Sequence, residues 1–202
     1  MDNTLKKFIL QEIESSIATK QKLLTDEKTT DDIQEIANVC LNAFRQGGKI
    51  ILAGNGGSAA DAQHIAADFV NQLNYDRPAL SSIALTTDTS IMTAIGNDRG
   101  YNEIFSRQIL ANGKAGDVLI GITTSGNSQN IIEAFKVCQN QKIITIGWTG
   151  ETGGEMKQYS DYCLCVPSSE TPRIQESHIL IGHIICGIVE DALFKNSAET
   201  FN

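Results

Sequence analysis

The chain has 202 residues, with 16 lysines and arginines against 24 aspartates and glutamates, a net charge of −8. Hydrophobic residues make up 41%, charged residues 20%, and there are only 3 prolines, which excludes disordered and fibrous classes and fits one domain with a sizeable core. The acidic balance, with no cluster of Lys or Arg, argues against nucleic acid as a partner.

Leu5, Phe8, Ile9, Ile13 and Ile17 recur at helical spacing, and Ile33, Ile36, Ala37, Cys40 and Phe44 repeat the pattern after a capping stretch at Thr29 to Asp32. Two helices are therefore predicted first. Gly47-Gly48 stops the second, and Lys49 to Ala53 reads as a short buried strand. Further strands are predicted at Ser82 to Leu85, Asp117 to Ile122, Lys142 to Gly147 and Tyr162 to Val166. Helices are predicted between them at Ala59 to Asn71, Thr89 to Ile95, Asn102 to Leu110 and Gln129 to Cys138. A long final helix from Pro172 to Lys195 is nearly continuously apolar from Ile179 to Val189, so it is expected to be buried all round, the first helix less so. Packing between subunits is a use for both.

This alternation predicts an α/β fold, a three-layer αβα sandwich around a parallel, flavodoxin-like sheet with a helical N-terminal extension. The whole chain, 1–202, reads as one domain, with helices 1–46 packing on the core or on neighbouring subunits. Ligands should bind at the carboxyl ends of the strands. The N-terminus carries no apolar signal core and no apolar run of membrane length is expected, so no membrane partner is expected and the cytoplasm is the expected location. Cys40, Cys138, Cys163, Cys165 and Cys186 are odd in number and lodged in apolar runs, which reads as reduced core thiols. Cys163 and Cys165 share one face of a strand, without the second ligand pair a zinc site would need.

Two loops stand out. Gly54-Asn55-Gly56-Gly57-Ser58 and Thr123-Thr124-Ser125-Gly126-Asn127-Ser128 each follow a predicted strand and open a predicted helix. Backbone N–H groups at a helix start, flanked by small hydroxyls, hold an anion without a lysine, and neither loop contains one. His64 and Asp68 lie one turn apart on the helix after the first loop and face the same cleft. Asp61, near that helix's start, suits the helix dipole. The final helix carries Arg173, Ile174, Gln175, Glu176 and His178, and then His183 among Ile181, Gly182, Ile184 and Ile185. There a polar ring needs a partner, as a satisfied core histidine or as a catalytic one. Arg173 suits pairing with an acid near the helix start. Glu176 and His178 read as structural or as groups orienting a ligand. Trp148 and Glu151 fall in a loop that could rim the cleft.

These residues resemble a known family. Gly54 to Ser58 followed by Ala59-Ala60-Asp61-Ala62-Gln63-His64, Thr86 to Ser90, Gly96-Asn97-Asp98, Phe105-Ser106-Arg107-Gln108, the Ser125 to Ser128 loop and Arg173-Ile174-Gln175-Glu176 with His178 look like phosphoheptose isomerases of the sugar isomerase (SIS) domain superfamily. The resemblance covers nearly the whole chain, with the motifs in order. It implies a homotetramer that converts sedoheptulose 7-phosphate to glycero-manno-heptose 7-phosphate, toward the heptose of bacterial surface polysaccharides such as lipopolysaccharide or capsule.

It also implies zinc (Zn2+) held by His64, Asp68, Gln175 and His183, with Asp68 as base and His183 as its proton-shuttling partner. Substrate contacts fall on Asn55, Gly56, Gly57, Ser58, Asp98, Thr123, Thr124, Ser125, Ser128 and Gln175, the phosphate lying mainly in the second loop. The family's base is a glutamate; Asp68 is one methylene shorter, about 1.5 Å, and a misplacement of that order can cost about 10²-fold in rate. Asp98 reads either as an acceptor for sugar hydroxyls or as a turn aspartate before Arg99-Gly100, and Thr86 to Ser90 equally as a helix cap. Gln175 and His183 are eight apart, about 12 Å along a helix and some 80° around it, so they reach one ion at full stretch or from more than one subunit. The alternatives are a non-catalytic SIS tetramer that binds a phosphosugar or the replication initiator, and an isomerase of another phosphosugar.

Overall fold

The computed structural model describes residues 2–195; the ends of the 1–202 assignment, residue 1 and residues 196–202, lie outside the described residues. Two helices open the chain, α1 (Asp2–Thr25) and α2 (Glu27–Arg45). The second starts ahead of the expected capping stretch, because Asp26 takes the N-cap position and the Thr29 hydroxyl donates to its carboxylate. Ile36, Ala37, Cys40 and Leu41 bury its inner face, and Gly47 ends the turn that follows at φ +73°, a conformation glycine adopts without steric cost.

Five strands follow, β1 (Ile50–Gly54), β2 (Ser82–Ala84), β3 (Val118–Ile122), β4 (Ile144–Thr149) and β5 (Tyr162–Cys165). They pair in parallel in the order β2-β1-β3-β4-β5. β1 and β3 are buried throughout, which is why both read as unbroken apolar runs. Alternate side chains serve two cores. Ile50, Leu52, Val118 and Ile120 pack with Ile36, Ile65 and Ile181 on one face of the sheet, while Ile51 and Leu119 pack with Phe105, Ile109 and Phe135 on the other.

The helices between and after the strands are α3 (Gly57–Val70), α4 (Thr89–Asp98), α5 (Ser106–Asn112), α6 (Gln129–Gln141) and α7 (Thr171–Phe194). The helix expected over Asn102 to Leu110 is two pieces, a 3-10 turn at Tyr101–Glu103 and then α5. Ile104 and Phe105, each essentially inaccessible, plunge into the core between them, and anchoring those side chains outweighs continuing one short helix. The chain leaves β1 toward β2 on one side and returns to β3 on the other, so the crevice at the carboxyl ends of β1 and β3 is the switch point where α/β sheets bind ligands.

α7 also differs from expectation. Contrary to the expected lack of a membrane-length apolar run, it is long and apolar enough to cross a membrane by length and composition, with a mean hydropathy of 1.5 over 18 residues. In this fold it packs on α2 and α3, and it is not buried all round, because Leu180, Ile184 and Ile188 form an exposed stripe at i, i+4, i+8. Leu5, Phe8, Ile9, Ile13 and Ile17 on α1 are likewise exposed. The other side of α1 is tied to α7: the Arg173 guanidinium donates to the Glu12 carbonyl, and Lys20 pairs with Glu176 at 3.0 Å. Near the C-terminal end of α7, the buried Glu190 carboxylate accepts from the amides of Leu73 (2.9 Å) and Asn74 (2.8 Å) and from Arg77 (3.0 Å).

Candidate active site

The first loop turns at Gly56, which sits at φ +57° as the N-cap of α3. Asn55 reaches out of it to Asn130, in the first turn of α6, and the two amides exchange hydrogen bonds of 2.9 and 2.8 Å. The Tyr101 hydroxyl donates to the same Asn55 oxygen at 2.9 Å. Ser58 is buried in the first turn of α3, its backbone N–H donating to the Asn55 carbonyl. The crevice between β1 and β3 is thus bridged by side chains 75 residues apart.

In the second loop the Thr123 hydroxyl lies 2.8 Å from the Ser128 hydroxyl and 3.4 Å from that of Ser125. Three hydroxyls therefore gather at the start of α6, which Ser128 caps. Gly126 at φ +69° holds the turn, and a Cβ there would stand 2.2 Å from the Gly153 carbonyl oxygen. The segment after β4 closes over this loop: the amide of Met156 donates to the Gly126 carbonyl at 2.8 Å, and that of Gly150 to the Thr124 carbonyl at 3.1 Å. Small residues here let two backbones touch and leave N–H groups, a helix start and hydroxyls to face an anion.

α3 and α7 run side by side in the same direction. Gly57 at the start of α3 meets the Gln175 amide, which lies 2.4 to 2.7 Å from where a Cβ would be, and two turns on Ile65 fits against Gly182, where a Cβ would meet the Ile65 Cδ1 at 2.1 Å. That seam brings His183 to His64 and Asp68. The two imidazole Nε2 atoms are 3.0 Å apart, and each lies 3.7 Å from Asp68 Oδ2. This oxygen is buried without a hydrogen-bond partner, and all three ligand atoms lie within 4.8 Å of one another. Burial pushes the Asp68 carboxyl above its ordinary value, with the two imidazoles pulling the other way.

Asp61 is not at the surface as a dipole partner would be. It is buried, its Oδ2 has no hydrogen-bond partner, and burial raises its carboxyl above the ordinary range, with nearby Gln175 and His64 pulling the other way. Asp98, the last residue of α4, is exposed and accepts from the Asn97 amide at 2.8 Å; Asp88 caps α4 through Ile91 N, and the Thr86 hydroxyl accepts from Gln63 at 3.2 Å. Arg173 pairs with Glu12 and Glu176. His178 is buried with Nε2 3.2 Å from the Thr149 carbonyl, and burial lowers its pKa to about 4, so it is neutral. Trp148 is buried in the core rather than at the cleft rim. Sequence reasoning passed over Asn130, whose only signal was its place two residues past the second loop, and Tyr101, which carried none.

Residues 14–150 match the family described as the SIS domain. The chain is 58% identical over 189 residues to a phosphoheptose isomerase from Aneurinibacillus thermoaerophilus, covering 94% of this chain and 96% of the relative. It is 55% identical over 194 residues to phosphoheptose isomerase 2 of Campylobacter jejuni, covering 96% of each. Among solved structures, a phosphoheptose isomerase from Neisseria gonorrhoeae superposes with a TM-score of 0.87 at 42% identity, over 93% of this chain and 99% of that one.

Proposed function

The chain belongs to the SIS domain family and, within it, to the phosphoheptose isomerases, and from that premise we propose that it converts sedoheptulose 7-phosphate to D-glycero-D-manno-heptose 7-phosphate, an aldose–ketose isomerisation through an enediol. The observation that carries this reading is the His64–Asp68–His183 cluster, beside loops that can grip a phosphate. A non-catalytic sensor or scaffold needs the loops but not the cluster, and relatives at 58% and 55% identity are isomerases by name.

The donor set suits zinc. Two imidazole nitrogens and a buried, unpartnered carboxylate oxygen converge on one point. We assign the ion to His64, Asp68 and His183, with Gln175 as a fourth ligand; when bound, zinc polarises the sugar carbonyl. The side chains do the rest. Thr123, Ser125, Ser128 and the α6 amides hold the phosphate, Thr124 lines that loop, and Asn55, Gly56, Gly57, Ser58 and Asp98 meet the sugar. Asp68 removes the proton from the carbon beside the carbonyl, and His183 moves a proton at the oxygen or returns one to carbon. Histidine serves as donor and acceptor in turn, so one pair runs both directions.

The assembly we propose is a homotetramer. The exposed stripes on α1 and α7 support it, since apolar rows of that length on a soluble chain mark contact surfaces, and the α7 row adjoins His183. A phosphorylated substrate and five cysteines without a disulfide support a cytoplasmic setting, in heptose supply for a surface glycan. The test is purified protein, stripped by chelation, given sedoheptulose 7-phosphate with and without zinc, with the aldose followed by NMR. Zinc-dependent product is expected; phosphosugar binding without product would return the chain to the sensor class.

A further inference from the structure

We propose that Asn130 and Tyr101 are positioning residues for Asn55, holding its side-chain amide so that a single N–H is left for the sugar. This rests on the reading of Asn55 as a sugar contact and adds two residues behind it. Three segments far apart in sequence meet at that one amide. Asn55 follows β1, Asn130 is the second residue of α6, and Tyr101 opens the 3-10 turn after α4, just past Gly100 at φ +98°.

The hydrogen bonds use up nearly all that Asn55 can form. A primary amide has two N–H donors and a carbonyl oxygen with two lone pairs. The Asn55 oxygen accepts from Asn130 Nδ2 at 2.8 Å and from the Tyr101 hydroxyl at 2.9 Å, which fills it, while one Asn55 N–H donates to Asn130 Oδ1 at 2.9 Å. Among the described residues nothing else pairs with this amide, so it offers a ligand one donor and selects an oxygen with a free lone pair, as a sugar hydroxyl or carbonyl has. The surroundings point to a ligand rather than to the core. Asn130 is 3% exposed but Tyr101 is 60% exposed, and one hydrogen bond from a phenol that far into water adds little to stability. That hydroxyl nonetheless meets the half-buried Asn55, at the carboxyl end of β1 where α/β sheets bind ligands. A donor fixed before the sugar arrives need not be ordered on binding.

The test is a double-mutant cycle on kcat/KM for sedoheptulose 7-phosphate with zinc supplied, alongside the inhibition constant of inorganic phosphate. Tyr101→Phe is expected to lower kcat/KM about 2- to 12-fold, the range for one neutral hydrogen bond, and Asn130→Ala, which removes two, to lower it further. Neither should lower it again in an Asn55→Ala background, because both act through that amide. Inhibition by phosphate, which needs no sugar contact, should be unchanged throughout. Tyr101→Phe alters an exposed residue and should melt with wild type, so the prediction does not depend on the buried variant folding. Losses that persist in the Asn55→Ala background, losses matched by weaker phosphate inhibition, or an unchanged kcat/KM in Asn55→Ala or Tyr101→Phe overturn the inference while leaving the isomerase reading standing. A wild-type chain without turnover overturns both.

Discussion

The Nε2 atoms of His64 and His183 face each other at 3.0 Å from two different helices, with Asp68 Oδ2 3.7 Å from each. Two ring nitrogens at that distance share a proton or a cation between them; two bare lone pairs would repel.

Asp68→Asn separates function from stability. Burial raises the Asp68 carboxyl, so the folded chain holds its proton to higher pH than the unfolded chain does, and stability falls as pH rises through that window. At neutral pH, exchanging the unpartnered carboxylate for an amide should raise the melting point of the metal-free protein by about 2–4 °C for each kcal/mol recovered. Turnover should fall by about 10²–10⁴-fold, the usual contribution of a positioned acid–base group. Melting curves and steady-state rates on one preparation check both.

Ser128→Ala removes one hydroxyl from the three-hydroxyl group at the head of α6. A hydrogen bond to a charged group contributes about 1.5–3 kcal/mol. KM should therefore rise about tenfold or more, with kcat and the melting point little changed. Inhibition by inorganic phosphate should weaken in step.

The five thiols should react in a set order. Cys163 and Cys165 stand with their sulfurs 3.8 Å apart on edge strand β5; a hydrogen bond from Cys163 and nearby Lys157 and Lys28 bring the Cys165 thiol down to about 7. Burial pushes Cys40 and Cys138 up to about 12 and Cys186 higher still. Iodoacetamide at neutral pH should label Cys165 first, at a rate that climbs between about pH 6 and 8 with its thiolate fraction, while the Cys163 thiol, held up by its hydrogen bond to Cys165 and by burial, lags behind it. Peptide mass mapping reads the order, and early labelling at Cys40 would contradict it.

Arg77→Met should be the most damaging of these changes to the fold. Breaking a buried pair from one side costs about 3–5 kcal/mol, and the buried Glu190 carboxylate would keep only the Leu73 and Asn74 amides as donors, with no cation beside it. Burial works to raise the Glu190 carboxyl, yet the Leu73 and Asn74 amides and Arg77 outweigh it and hold it below its ordinary value. Its contribution is thus present above the unfolded carboxylate range and is lost as pH falls through the lowered folded value. Acid titrations of melting point should show a shallower loss in an Arg77→Met/Glu190→Gln double variant than in wild type.

Both phosphate-type loops were legible because glycine and hydroxyl residues between an apolar run and a helical run are a local signal. So was the His64–Asp68 spacing. The break between Tyr101–Glu103 and α5 was not, since whether Ile104 and Phe105 end a helix depends on a core built from distant strands. Asp61 was misread for a similar reason: spacing places it near a helix start but says nothing of what covers it. The Asn55–Asn130 and Tyr101 bonds carry no pattern along the chain. The separation of Gln175 and His183 along α7 remains in the fold: Gln175 meets Gly57 at the start of α3, and His183 meets His64 about two turns further on.

Glu190 lies seven residues beyond His183 on α7, about 10 Å further along the same rod, and Arg173 grips the rod at its other end. A helix pinned at both ends does not slide or roll freely, so His183 and Gln175 inherit their alignment from clamps that touch no ligand. Loss of either clamp would therefore cost rate as well as stability, which makes the far side of α7 a place where inactivating changes can hide without altering a single residue in the cleft.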